Sequence, residues 1–333
     1  MTSIKDVAKQ AGVSIATVSL VLNNKGNISE ETRQRVLQTV ERLGYTRSIQ
    51  ARNLREQQSR TIGYAQRTQR GEFNPLLDRF LYELVNRIEP TGRHLLLFQS
   101  EPKVRITPYE ELIKSRRVDG FVLSYTEAGD ERFRYLHEAG VPFVAFGKSS
   151  TELDNVTHWV DVDGQYGIYI ATEHLIQQGH RRIGFIGWPP GSASGDLRFQ
   201  GFQDALTDYG IAIQPDLICR AHNQIEHGHQ AAQKLLQLPQ PPTAVVCVSD
   251  ILAIGAMQYF NQANRRLAIT GFDDTPTAAF TYPALTSVRQ PIEEVTKLLV
   301  DMLLAQLDGQ TVLVKQHNLK PELIIRASSL LDD

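Results

Sequence analysis

The sequence has few cysteines and no long apolar run. Its 333 residues include two cysteines, Cys219 and Cys247, too few for a disulfide scaffold or a four-cysteine zinc site. No segment approaches the roughly eighteen apolar residues that a membrane span needs. The N-terminal segment MTSIKDVAKQ is polar and lacks the apolar core of a signal peptide. We therefore expect a cytoplasmic protein with free thiols and no membrane association.

Catalytic and metal-binding signatures are missing as well. There is no G-x-S-x-G, no Walker loop and no H-E-x-x-H, and the glycine-rich segment 187–195 lacks the spacing of a dinucleotide fold. His222, His227 and His229 lie close in sequence, but helical spacing does not put them on one face. The sequence thus predicts no catalytic residues, no metal and no cofactor.

The charge is distributed unevenly along the chain. Residues 1–60 hold ten lysines and arginines against five acidic residues, a net charge of +5, although the whole chain carries -2. The remaining residues therefore carry -7. A small basic segment on an acidic body favours contact with a polyanion.

The basic segment has the pattern of a helix-turn-helix. Residues 4–11 form one amphipathic helix that ends at Gly12, where a left-handed conformation costs little. Ser14 is the expected N-cap of a second helix over 15–23, and Ser29 that of a third helix that stops at Gly44. The short turn, the small Ala8 and the net charge favour DNA binding over a protein-binding helical bundle.

In such a unit the second helix lies in the major groove of DNA. Its exposed residues are largely apolar, so they can contact thymine methyl groups but cannot bond guanine or adenine in the bidentate way. The side chains predicted to contact DNA bases or phosphates are Ser3, Lys5, Ser14, Ile15, Ala16, Thr17, Ser19, Leu20, Asn23, Asn27, Ser29, Thr32 and Tyr45.

Beyond residue 60, short apolar strands alternate with amphipathic helices. This alternation predicts parallel sheets with helices on both faces. The predicted helices include 76–88 and 167–178. The predicted strands are 61–65, 94–98, 120–124, 143–147, 182–187, 243–248 and 267–272.

Several long motifs resemble the LacI/GalR family of bacterial transcription regulators. They are IKDVAKQAGVS-x-x-TVS-x-VLN at the N-terminus, then VDGFVLS, EHLIQQGHRRIGFIG, PTAVVCVSD, ITGFDDTP and PELIIRASS, so the resemblance covers nearly the whole chain. It implies an N-terminal all-α helix-turn-helix head and an α/β periplasmic-binding-protein-like body of two doubly wound parallel-sheet subdomains. The implied bounds are 1–46 for the head, 47–60 for a hinge helix or linker, and 61–330 for the body. Within the body, the N-subdomain covers about 61–160 and 289–318, and the C-subdomain about 161–288 and 319–330.

The resemblance also assigns roles around DNA. The hinge folds on DNA and pairs with that of a dimer mate; Ser48 belongs to it, Ala51 permits close approach, and Leu54 is the wedge in the minor groove. The family usually has an arginine after T-V-S, where this chain has Leu20, so the base pair read there should differ. We expect a homodimer on a palindromic, double-stranded operator, with no tail-linked tetramer.

Ligands of such bodies meet the carboxyl ends of the strands. The predicted effector-binding residues are Asn74, Ser124, Tyr125, Trp188, Ser194, Arg198, Ser249, Asp273 and Gln290. For Trp188, which precedes Pro189-Pro190, an equal alternative is a structural role as a rigid plug of the loop. The resemblance implies that Arg198, Ser249 and Asp273 contact effector hydroxyls; a structural ion pair between Arg198 and Asp273 is the alternative. Asp250 and Asp274 are expected to be structural caps. Some family members have a carboxylate at Gly147, so its absence leaves room for a larger ligand, with Lys148 beside it.

The sequence therefore predicts a repressor that a sugar or short glycoside releases from its operator. A purine corepressor that tightens DNA binding is the main alternative, because Arg198 and Asp273 suit either ligand. A glycoside-acting enzyme and a transport-type binding protein are weaker alternatives, since no nucleophile–base pair is evident and the head is basic.

Overall fold

The computed structural model describes residues 2–22, 24–45, 58–66, 74–100 and 106–330. The chain divides into two compact units, Met1–Ser59 and Arg60–Asp333. Of the predicted DNA contacts, Asn23, Ser48, Ala51 and Leu54 lie outside the described residues. No helix within the described ranges is both long enough and apolar enough to cross a bilayer.

The first unit contains three helices in its described part: α1 (Ile4–Ala11), α2 (Ile15–Leu22) and α3 (Glu30–Arg42). Ser3 caps α1 by accepting the Asp6 N–H, and the Asp6 carboxylate accepts the Ser3 N–H in return. Gly12 ends α1 at φ 64°, the left-handed conformation predicted for it.

Apolar side chains from all three helices form the core of the first unit. Val7, Val18 and Val36 have no exposed surface, and Ala8 is small enough to let α1 and α2 approach. Arg35 on α3 donates its Nε–H to the carbonyl of Ala11 at 3.0 Å, which satisfies an unpaired carbonyl at the end of α1. The faces predicted to be buried are therefore the ones that pack.

The second unit contains two sheets, each with six strands in the described chain. The first has the order β11-β5-β4-β3-β1-β2 and the second β12-β10-β9-β8-β6-β7. All neighbouring strands are parallel except β10 and β12. The bounds of the strands are β1 Thr61–Gln66, β2 His94–Gln99, β3 Gly120–Leu123, β4 Phe143–Phe146, β5 Trp159–Val162, β6 Ile183–Gly187, β7 Ile218–Arg220, β8 Ala244–Cys247, β9 Ala268–Asp273, β10 Thr286–Arg289, β11 Gln316–Leu319 and β12 Glu322–Ile324.

Helices cover both sheets, as the alternating pattern predicts. Their bounds are α4 Pro75–Ile88, α5 Thr107–Lys114, α6 Glu131–Glu138, α7 Gly164–Gln177, α8 Ala193–Asp208, α9 Ile225–Leu236, α10 Asp250–Gln262 and α11 Ile292–Leu307. Short 3-10 turns lie at Glu89–Thr91, Glu152–Asn155, Pro215–Leu217, Pro276–Phe280 and Ala327–Ser329. The seven predicted strands are present, whereas the short β5, β7, β10, β11 and β12 were not predicted.

The chain passes between the two sheets three times. It leaves the first sheet after β5, returns after β10 through α11, and crosses again between β11 and β12. Each sheet has its own core: Ile62, Val122 and Leu299 belong to one, and Phe185 and Val246 to the other. The second unit thus consists of two α/β subdomains, which three chain segments join.

The two cysteines lie on either side of one residue of β6. Cys219 on β7 and Cys247 on β8 both pair in register with Ile186. Two strand spacings place their Cα atoms about 9–10 Å apart, beyond the ~7 Å limit for a disulfide. Both are free thiols, as the sequence predicts.

Candidate functional site

A cavity of about 510 Å³ lies where the carboxyl ends of strands from both sheets meet. Parallel α/β sheets bind their ligands at this edge. Its lining residues are Asn74, Leu76, Leu77, Tyr125, Thr126, Glu127, Phe146, Gly147, Asp161, Val162, Gly164, Trp188, Pro189, Pro190, Gly191, Ser192, Ala193, Ser194, Leu197, Arg198, His222, Asn223 and Gln290.

Six of the predicted effector-binding residues line this cavity: Asn74, Tyr125, Trp188, Ser194, Arg198 and Gln290. Asn74 also caps α4, since its Oδ1 accepts the Leu77 N–H, while its Nδ2 donates to the Tyr125 hydroxyl at 2.9 Å. The turn after β3 and the start of α4 are therefore joined at the cavity wall.

The other three predicted residues are buried behind this wall. Ser124 shares a 2.8 Å hydrogen bond with the Tyr64 hydroxyl. Ser249 caps α10 and donates to Oδ1 of Asn223 at 2.6 Å. Asp273 accepts from Nε2 of Gln290 at 2.7 Å. Direct contact of Ser124, Ser249 and Asp273 with an effector stays a prediction. Asn223 and Gln290, the hydrogen-bond partners of Ser249 and Asp273, line the cavity instead.

Arg198 is a buried cation that lacks an acidic hydrogen-bond partner in the described chain. Its Nη1 donates to the carbonyl of Val248 at 2.6 Å, and its buried Nε has no partner among the described residues. The guanidinium carbon lies 3.7 Å from the ring centre of Phe272 and 4.9 Å from that of Trp188. Burial lowers the pKa of Arg198. A desolvated cation with an unused donor, at a cavity wall, is suited to binding a ligand oxygen.

Trp188 offers a second unused donor at the same wall. Its indole N–H is buried and has no hydrogen-bond partner among the described residues. Buried tryptophan N–H groups usually find a partner. A ligand oxygen in the cavity would supply one, and the ring already stacks on the Arg198 guanidinium.

Carboxylates surround this guanidinium. Burial raises the pKa of Asp273, an effect that the Arg198 charge opposes. Burial and the charge of Asp273 raise the pKa of Asp250. Asp250 accepts hydrogen bonds from Thr275 and Ser287, so it joins the loop after β9 to strand β10 and does not act only as a helix cap.

The sequence reasoning missed Asp161, which lines the cavity at the end of β5. The signal was present, because Asp161 is the polar residue between buried Val160 and Val162. Gly147, directly after the neighbouring strand β4, also lines the cavity, whereas Lys148 lies over the Trp159 ring at 4.8 Å.

The three histidines close in sequence have contacts other than a shared metal site. His229 begins the second turn of α9 and bonds Gln262 through Nε2 at 2.9 Å, while the rings of His222 and His227 lie 5.7 Å apart. Among the described residues, no group of three or more histidines, cysteines or acidic residues is placed to hold a metal ion.

In the first unit, α2 presents an apolar and hydroxyl-bearing surface. Ile15 is 45% exposed and Leu20 39% exposed. Thr17 donates its N–H to Oγ of Ser14, so the helix begins with the predicted cap. The described members of the predicted DNA-contacting set are all exposed or partly exposed: Ser3, Lys5, Ser14, Ile15, Ala16, Thr17, Ser19, Leu20, Asn27, Ser29, Thr32 and Tyr45.

Comparison with known proteins matches both units. Residues 3–48 match the family "Bacterial regulatory proteins, lacI family", and residues 172–329 match a "Periplasmic binding protein-like domain". The chain is 34% identical to the HTH-type transcriptional repressor CytR of Escherichia coli strain K12, over 98% of this chain and 96% of CytR.

Two solved structures are also similar. The lac repressor dimer bound to operator and the anti-inducer ONPF superposes with a TM-score of 0.88, at 25% identity and over 99% of each chain. The complex of the transcriptional regulator CelR with cellobiose gives a TM-score of 0.75 at 26% identity, over 98% of this chain and all of CelR. These matches confirm the predicted fold, and an enzyme finds no support among them.

Proposed function

Because the chain belongs to the LacI family of bacterial transcription regulators, we propose that it is a homodimeric repressor that a sugar or short glycoside releases from a palindromic operator. The observation that carries the ligand part is the cavity with two buried donors, Arg198 Nε and Trp188 Nε1, that have no hydrogen-bond partner among the residues described. A protein that represses chromosomal genes works in the cytoplasm.

The apolar recognition surface supports a particular kind of operator contact. Ile15 and Leu20 lack hydrogen-bonding groups, so they favour thymine methyl groups, while Thr17 and Ser19 can bond phosphates or bases. The segment 47–60, with Ser48, Ala51 and Leu54, is the proposed hinge. Pairing of two hinges would bind the central step of the operator.

A second copy of the chain is the proposed occupant of exposed aromatic surface on the body. Phe280 is 89% exposed and Tyr282 83% exposed, which is unusual for large apolar side chains near each other in sequence. The similar lac repressor structure is a dimer. Replacing both residues by serine should reduce the dimer fraction in light scattering, and an unchanged dimer would place the interface elsewhere.

Selection of operator sequences followed by fluorescence anisotropy tests the whole proposal. The purified chain should enrich a palindrome from random duplex, and a neutral sugar should lower its affinity for that palindrome. Tightening by hypoxanthine or guanine, with no effect of sugars, would instead establish the purine corepressor alternative. Failure to enrich any palindrome would refute the proposed function.

A further inference from the structure

Asp161 occupies a distinctive place in the cavity wall. The main-chain N–H of Gly147 donates to the carbonyl of Val160 at 2.9 Å, so β4 and β5 stay paired up to the cavity. Phe146 is in register with Val160, which puts Gly147 beside Asp161. Both residues line the cavity, and the glycine adds no side chain next to the carboxylate.

The backbone conformation and one neighbouring side chain favour glycine at position 147 in this chain. Its φ is +103°, a conformation that other residues rarely adopt. A Cβ atom there would lie only 2.2 Å from Oγ1 of Thr126. The backbone therefore keeps the space beside Asp161 free of a side chain at position 147.

The Asp161 carboxylate has unused hydrogen-bonding capacity. Its Oδ1 accepts the N–H of Val162 at 2.8 Å, and its Oδ2 has no hydrogen bond from the residues that the structure describes. A carboxylate accepts up to about four hydrogen bonds. A ligand hydroxyl in the cavity can therefore donate to Asp161 while another oxygen of the ligand accepts from Arg198.

The charges around the cavity oppose an anionic ligand. Among the described residues that line the cavity, Asp161 lies near one guanidinium, that of Arg198, and the Lys148 cation also acts on the Asp161 carboxylate. Asp250 and Asp273 lie behind the wall, close enough for their charges to act on Arg198. A phosphoryl group would add about two further negative charges.

Building on the proposed sugar response, we propose that Asp161 binds a hydroxyl of the effector and makes the cleft select neutral polyhydroxylated ligands over phosphorylated ones. The effector class is then an uncharged sugar or glycoside. Asp161 lies near the carboxyl end of β5 in the first sheet, and Arg198 lies on α8, which follows β6 of the second sheet, so one ligand that contacts both residues links the two sheets.

Calorimetric titration of the full chain tests this assignment. The probes are ribose, glucose, cellobiose and lactose, together with ribose 5-phosphate and glucose 6-phosphate. Wild-type protein should bind at least one neutral probe. It should bind neither phosphorylated probe more tightly than that neutral probe. Asp161→Asn should weaken the neutral probe roughly tenfold or more, because a hydrogen bond to a charged group is lost.

The same variant should bind the phosphorylated probes more tightly than wild-type protein does, since one repulsive charge is removed. A purely structural role of Asp161 would weaken both kinds of probe. The matched control is Asp301→Asn, an exposed carboxylate that pairs with Lys297 on α11, and its affinities should equal those of wild-type protein. The melting temperature without ligand checks the folding of each variant.

Three results would overturn the inference in distinguishable ways. Unchanged neutral-probe affinity in Asp161→Asn would remove Asp161 from the site. Tighter binding of a phosphorylated probe by wild-type protein would remove the selectivity and leave a sugar-type response intact; this measurement does not depend on any variant. Binding of none of the six probes would refute the sugar proposal itself, together with the role of Asp161.

Discussion

Two arginines in the described part of the second unit are almost completely buried, and their partners differ in kind. Arg132 is 1% exposed; it pairs with Asp130 at 2.6 Å and donates to the carbonyls of Ser124 and Tyr125 at 3.0 and 3.1 Å. Arg198 is 7% exposed, and its partners are one carbonyl and two aromatic faces. Replacement of each by methionine should therefore change stability by different amounts.

Arg132→Met leaves the Asp130 carboxylate buried without its cation. Loss of one partner of a buried ion pair costs about 3–5 kcal/mol. For a unit of this size the melting temperature should fall by roughly 10 °C. The turn that holds Tyr125 should loosen as well, because Arg132 fixes its carbonyl.

Arg198→Met removes a buried charge whose carboxylate neighbours form no hydrogen bond with it. The lost bond to Val248 is worth about 1.5–3 kcal/mol, and the desolvation that the charge no longer requires is of similar size. Stability should therefore change little, while the methionine retains contact with Phe272. Effector affinity should fall about a hundredfold, because the guanidinium is the cationic donor in the wall.

Urea unfolding at one pH measures both stabilities, and calorimetry with the neutral probe measures the affinity. Operator affinity without effector serves as the internal control and should be unchanged in Arg198→Met. The reasoning is refuted if Arg198→Met is destabilised as strongly as Arg132→Met, or if it binds the effector as wild-type protein does.

Four further outcomes are expected. Leu54→Ala should weaken operator binding far more than binding to random duplex; equal losses in anisotropy would exclude a wedge role. Asp273→Ala should keep operator affinity but lose the response to effector, and a retained response would clear Asp273 of that role. Operator affinity should fall steeply with salt, because phosphate contacts release counterions, and a flat titration would contradict the basic head. Burial lowers the pKa of His180 below its ordinary value of 6.5, so the neutral form is favoured in the fold and its contribution to stability, present above pH 6.5, is lost as the pH falls below it. His180→Asn should therefore lose less stability than wild-type protein between pH 7 and 5, as measured by urea unfolding, and an equal loss would refute this assignment.

Elements with strong local signals were predictable from the sequence. Gly12 and Ser29 mark helix ends through their own conformation and hydroxyl group, without help from the rest of the fold. The strand at 244–247 is buried along its whole length, so its apolar run identifies it. β11 has the sequence QHNL and borders the sheet at one edge. Its formation depends on pairing with β5, which no local pattern records.

The sequence was sufficient to predict which strand ends surround the site. It was not sufficient to predict which side chains there point into the cavity. Ser124 and Ser249 follow the right strands, yet each hydroxyl is bonded inside the wall. Asp161 was missed because its strand was missed. A residue's place at the carboxyl end of a strand follows from sequence, whereas its access to the cavity depends on packing between neighbouring strands.

The three segments that join the two sheets have a mechanical consequence. A single connecting segment would let the two sheets rotate relative to each other about any axis, and each further segment removes some of this rotational freedom. With three segments, after β5, after β10 and after β11, relative motion is restricted largely to a pivot about the line through them. A small molecule that draws the two sheets together at the cavity would then always produce the same displacement at the opposite end of the first sheet and its helices.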